Sequence, residues 1–196
     1  MTETTSIQLL ENFANKKGIK HYSSSKRKDH LLVTGDRFLA TKYVVFDFNE
    51  VKKDLYFIFY DSFSPKAYTS KSYCGFFLKI ADCKHEIKII KRDWFDMFSI
   101  KKRYKTGFDS IDKKVSIFTS SKETNPTFVN SKTITEFLQV AKTVMPLELI
   151  TIHNSQSVIP ELVGNDFVAI QTNKWILNLK ELDAFLTKGA EFMKKL

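Results

Sequence analysis

The chain has little of what most nucleotide enzymes and secreted proteins are built from: 6 glycines, 4 prolines and 2 cysteines in 196 residues. So few glycines leave no Gly-rich phosphate loop, because the close backbone approach of such a loop needs several of them together. Arginine is also scarce. Arg27, Arg37, Arg92 and Arg103 are the only four among 31 basic residues. Lysine gives a point charge where arginine gives a planar fork, so bidentate reading of guanine or phosphate is disfavoured. The longest apolar runs, such as Leu55-Tyr56-Phe57-Ile58-Phe59-Tyr60, fall far short of the roughly 20 residues that span a bilayer. Internal repeats and low-complexity tracts are absent. The opening Met1-Thr2-Glu3-Thr4-Thr5 has neither the basic nor the apolar region of a secretory leader, so a soluble, cytoplasmic chain is expected.

Two cysteines without an export signal suit a reducing compartment. Cys74 and Cys83 lie nine residues apart, an odd separation that puts them on opposite faces of one strand and argues against a disulfide. Both are read as small buried hydrophobes.

What the chain does have is phenylalanine, 18 residues, and positive charge, net +9. Residues 1–108 hold all of that excess, and residues 109–196 are neutral. Any acidic partner should therefore dock on the first portion. Two basic clusters stand out: Lys16, Lys17, Lys20, Lys26, Arg27 and Lys28 around a serine run, and Lys101, Lys102, Arg103 and Lys105 in a connector that also carries Arg92, Trp94, Phe95, Phe98 and Tyr104. These ten residues are the candidate surface for an anionic partner. The first cluster is expected in an exposed, flexible loop, since Ser23-Ser24-Ser25 favours turns.

Periodicity predicts a helix from about Thr5 to Lys17, with a Thr5/Gln8 capping box and a Gly18 stop. Strands are predicted over Leu31–Thr34, Phe38–Phe48, Leu55–Phe63, Tyr73–Ala81 and Glu86–Ile90. Their short connections favour an antiparallel meander closing on the first helix. Beyond the connector come a strand at Lys114–Thr119, a helix from about Thr133 with Glu136 closing a capping box, and strands at Leu147–His153, Ser157–Ile159, Phe167–Gln171 and Lys174–Leu177. A last helix begins at Asn178, weakened late by Gly189. The expected class is α+β: an N-terminal helix and β-meander over residues 1–107, then a strand-helix-strands-helix layer over 108–196, either as two units or as one continuous domain.

Residues Phe108-Asp109-Ser110-Ile111-Asp112-Lys113-Lys114-Val115-Ser116-Ile117-Phe118-Thr119-Ser120-Ser121, the apolar helix start Ile134-Thr135-Glu136-Phe137-Leu138 and the strand Cys74-Gly75-Phe76-Phe77-Leu78-Lys79 together resemble an uncharacterised bacterial family of domains of unknown function. The resemblance spans roughly residues 70–196. It implies a fold and a bacterial origin, and it supplies no activity. Many members of that family are membrane-anchored, but this chain lacks a membrane helix, and Ser120-Ser121-Lys122 replaces the usual acidic turn.

No catalytic, metal or cofactor motif emerges. His21, His30, His85 and His153 show no i, i+4 pair. Cys74, Cys83 and His85 lack zinc-knuckle spacing. His153-Asn154-Ser155 has no nucleophile elbow and reads as a hairpin turn. Asp109 and Asp112 beside Lys113 and Lys114 read as a solvated turn. No cofactor is expected. The leading expectation is a non-catalytic binding module that docks an acidic protein or an anionic membrane surface through its basic portion. Single-stranded nucleic-acid binding by the basic-aromatic connector is the second reading, and an enzyme with a site of scattered residues is the third.

Overall fold

The computed structural model describes residues 5–27, 40–64, 69–81, 86–92, 103–119 and 129–196. Among these residues are four helices, α1 (Ser6–Lys17), α2 (Asp109–Asp112), α3 (Ser131–Val140) and α4 (Leu179–Lys195). Eight strands accompany them: β1 (His21–Arg27), β2 (Ala40–Asp47), β3 (Leu55–Ser64), β4 (Thr69–Ile80), β5 (Ile87–Lys91), β6 (Val115–Thr119), β7 (Glu148–Ile152) and β8 (Asp166–Thr172). The expected strand at Leu31–Thr34 lies outside the described residues.

All eight strands form one antiparallel sheet in the order β1-β2-β3-β4-β8-β7-β5-β6. The first four make a meander. The chain then crosses to the far end, forms the β5–β6 hairpin and fills the middle with β7 and β8. Because β8 pairs with β4 from Cys74↔Thr172 to Ile80↔Asp166, residues on both sides of position 107 share the sheet.

Alternation along each strand divides the apolar side chains between two faces. Val44, Phe46, Phe57, Phe59, Phe76, Leu78, Val168 and Ile170 pack with α1, α3 and α4 in the larger core. Its centre is aromatic: Phe57 meets Phe76 at 4.8 Å and Phe185 of α4 at 5.6 Å. The helix that meets Phe57 of β3 is thus α4, while α1 packs on β1 and β2, with Phe13 stacked on Phe46 at 6.5 Å. The opposite face carries Val45, Ile58, Tyr60, Tyr73, Phe77 and Phe167, covered by Ile159 and Leu162 from the β7–β8 connection.

Helix ends follow local chemistry in two cases and depart from it in one. Thr5 caps α1 with both capping-box bonds to Gln8, and Gly18 takes φ 68° to end it. Asn178 accepts from the amides of Lys180 and Glu181 at the start of α4. At α3 the cap is Asn130, whose carboxamide accepts from Thr133 N at 2.9 Å, so the expected Thr133/Glu136 box does not form. The helix ends at Val140, and Met145 is 54% exposed.

Two further expectations are corrected. The serine run is strand β1, not a loop, paired without interruption from His21↔Phe46 to Arg27↔Ala40; hairpin pairing overrides serine's turn preference. Ser157–Ile159 and Lys174–Leu177 are not strands. In the second segment Trp175 Nε1 donates to the Tyr60 carbonyl at 2.9 Å and Cys74 Sγ to the Lys174 carbonyl at 3.2 Å, so an extended chain docks by side-chain contacts where a ladder was expected. At Gly75 a Cβ would stand 2.1 Å from the Ile170 carbonyl oxygen, and glycine permits the close β4–β8 approach.

Candidate anionic-partner site

The two basic clusters belong to opposite edges of the sheet. Lys16 and Lys17 close α1, where they complement the carbonyl end of the helix. Lys20 directly precedes β1 and Lys26 lies within it at one sheet edge, and Arg103 and Lys105 flank Tyr104, which bridges to β6 at the other. Seven inter-strand spacings, about 34 Å of sheet, separate the edges. The described members therefore do not form one surface, which corrects the expectation of a single basic region. Lys28, Lys101 and Lys102, along with Trp94, Phe95 and Phe98, lie outside the described residues, as does the side chain of Arg27.

In the first cluster, Lys17 pairs with Asp183 at 2.7 Å and Lys20 with Glu50 at 3.2 Å. Lys16 and Lys26 are exposed.

The second cluster is concave. Arg92 continues the β5–β6 ladder, its amide donating to the Lys114 carbonyl at 2.9 Å, while its Nη1 donates to the Asp112 carbonyl at 3.1 Å. Tyr104 N donates to the Ile117 carbonyl at 2.8 Å. This bridge holds the backbone of Arg103 and Lys105 against the outer edge of β6. The turn between Tyr104 and α2 is tied by Asp112. Its carboxylate accepts from Thr106 N at 3.0 Å, Thr106 Oγ1 at 2.9 Å and Gly107 N at 3.1 Å, with Gly107 at φ 82°. Lys113 pairs with Asp109 at 2.7 Å on the exposed surface, a contact worth little on its own.

These elements enclose a cleft of about 280 Å³ lined by Arg92, Arg103, Tyr104, Lys105, Asp109, Asp112, Lys113, Val115 and Ser116. Four cations face two carboxylates there. One carboxylate is spent on the turn and the other on Lys113, so the two arginines and Lys105 dominate the field. Phe108 stands on the same turn and is 64% exposed, more than any other large hydrophobic among the described residues. The cleft unites Arg103 and Lys105, both expected from sequence, with Arg92 of the same connector and with Lys113, which was not singled out as a site residue; Phe108 directly precedes its Asp109. An apolar residue after glycine in a lysine-rich segment was the available signal for Phe108. Nothing in the sequence showed that Arg92 folds back against the Asp112 carbonyl.

Among the described residues, reactive groups elsewhere do not assemble. Cys74 is fully buried, and burial pushes its thiol up to about 12. His153 pairs through Nδ1 with Asp166 at 3.1 Å on an exposed turn. Among the described residues no three His, Cys, Asp or Glu side chains cluster to hold a metal, and no helix is long and apolar enough to cross a membrane. No family model, curated protein or solved structure matches the chain.

Proposed function

We propose that the protein is a non-catalytic binding module that docks on an anionic membrane surface through the β6 edge. The observation that carries this reading is Phe108, 64% exposed on a turn beside a cleft lined by Arg92, Arg103, Lys105 and Lys113. An exposed aromatic ring on the residue next to Asp109 of a cation-lined cleft suits the boundary between acyl chains and anionic headgroups, where the ring leaves water and the cations meet phosphate. Each cation near such a surface contributes about 1 kcal/mol, or about fivefold in partitioning. Full burial of the ring would add about 2 kcal/mol.

Sedimentation with vesicles of two parts phosphatidylcholine to one part phosphatidylserine tests this. Binding should appear at low salt, fade as salt rises, and be absent with phosphatidylcholine alone. Replacing Arg103 and Lys105 together by glutamine should weaken it by about 25-fold, two cations at about fivefold each, and Phe108→Ser should weaken it without changing its salt dependence. Equal binding to neutral vesicles, or none at low salt, would refute the reading. Capture by a polynucleotide in preference to vesicles would replace it with the nucleic-acid alternative.

A further inference from the structure

Charge in the β6-edge cleft is not balanced. Four cations and two carboxylates line it, an excess of two. Asp109 is paired with Lys113 at 2.7 Å, and Asp112 accepts from Thr106 and Gly107. Among the described residues Arg103 and Lys105 pair with no carboxylate, whereas Lys17, Lys20, Lys42 and Lys88 each have one. A second cleft, of about 370 Å³ over β5, β6 and β7, sets Glu86 and Glu148 against Lys88 and carries no such excess. Arg92 and Arg103 are also half-buried, and partial removal from water strengthens their attraction for an anion seated beside them.

We infer that this cleft seats a single phosphomonoester, either the headgroup of a lipid or a free small phosphate. The inference rests on the β6-edge reading for the lipid source, and it names the anion that those cations meet. Charge is the first reason. A monoester carries about −1.5 to −2 at neutral pH, close to the excess of two, whereas a diester phosphate carries about −1. Geometry is the second. Arg92 holds its Nη1 on the Asp112 carbonyl at 3.1 Å, which anchors a planar guanidinium whose remaining N–H groups match paired phosphate oxygens. A monoester presents three terminal oxygens to Arg92, Arg103 and Lys105, one more than a diester does. Size is the third. A volume of about 280 Å³ lies at the small end of ligand sites, roughly 300–1,000 Å³, and fits one headgroup. Arg92 N donates to the Lys114 carbonyl at 2.9 Å and Tyr104 N to the Ile117 carbonyl at 2.8 Å, so the backbone of the site is set before a ligand arrives.

Sedimentation compares vesicles of phosphatidylcholine containing phosphatidic acid, a monoester, with vesicles containing phosphatidylserine, a diester, matched in surface charge by electrophoretic mobility. Phosphatidic acid should be preferred at least tenfold, corresponding to about 1.4 kcal/mol. Arg92→Lys keeps the charge and removes the fork, so it should bring that ratio to about one. Glycerol 3-phosphate, titrated into the unaltered protein and followed by amide chemical shifts, reads the free source: the Arg92, Tyr104 and Lys105 amides should move. Preference for phosphatidic acid without these shifts assigns the lipid as the source. Shifts at these amides without binding to either vesicle assign the free phosphate and count against the β6-edge membrane reading alone. Equal affinity for the two charge-matched vesicles without shifts would overturn the inference and leave the membrane reading standing. So would a folded Arg92→Lys variant that keeps the full preference. Neither vesicle binding nor shifts would overturn both.

Discussion

Replacing Gly189 by alanine should destabilise the protein, against the ordinary rule for a helix interior. Alanine is favoured over glycine in a helix by about 1 kcal/mol, and Gly189 lies well inside α4. A Cβ at this position, however, would stand 2.6 Å from Cε2 and 2.8 Å from Cδ2 of Phe76, and 3.3 Å from Cδ1 of Ile170. The ring has nowhere to retreat. Phe76 is fully buried, with Phe57 at 4.8 Å, Phe48 at 5.1 Å and Phe185 at 6.0 Å from its centroid. Overpacking of a well-filled core costs about 1–3 kcal/mol, and contacts this short on an immobile ring belong at the upper end. After the helix gain is subtracted, about 2 kcal/mol of stability should be lost. For a chain of this size that is a fall in Tm of about 4–8 °C. Calorimetry and urea unfolding would measure it. In a Phe76→Leu background the obstructing ring edge is gone, so Gly189→Ala should become neutral or stabilising, a coupling of about 2 kcal/mol between the two sites. A rise in Tm for Gly189→Ala in the otherwise unaltered protein would refute the packing argument.

Two further outcomes are expected. Thr172 Oγ1 is buried with no hydrogen-bond partner among the described residues, so Thr172→Val should raise stability by about 1 kcal/mol, seen as a higher urea midpoint; an unchanged or lower midpoint would show that the hydroxyl is satisfied. In a Cys83→Ser background, Cys74 should resist thiol reagents until the protein unfolds, because burial holds its proton up to about 12. An unfolded-chain thiol releases its proton near about 8.5, so above that pH the native state binds more protons and stability falls with rising pH, by at most about 1.4 kcal/mol per unit for this group. Cys74→Ala should flatten that decline, and rapid labelling of the native thiol would contradict its burial.

Local signals proved sufficient where one short segment supplies both partners of an interaction. The Thr5/Gln8 box, the Gly18 stop and the Asn178 cap of α4 are contacts over a few residues, and the unbroken apolar run Leu55–Tyr60 is buried on both faces of β3. Signals failed where a distant segment decides. Ser23-Ser24-Ser25 is strand because β2 offers a ladder. Gly75 and Gly189 look like weak points in a strand and a helix, yet both are spacers that let β8 and Phe76 come close.

The sequence by itself determined an α+β chain with capped helices, alternating strands, a phenylalanine-rich interior and all of its net charge in the first 108 residues, because these are properties of residue type and short-range spacing. Tertiary structure alone decided the strand order, which inserts β8 beside β4 and sends β1 and β6 to opposite edges. That order set the two basic clusters at opposite edges of the sheet, and the fold placed Arg92 against the Asp112 carbonyl beside the turn bearing Phe108. Charge can be counted residue by residue, whereas its placement depends on which strands find each other across long stretches of chain.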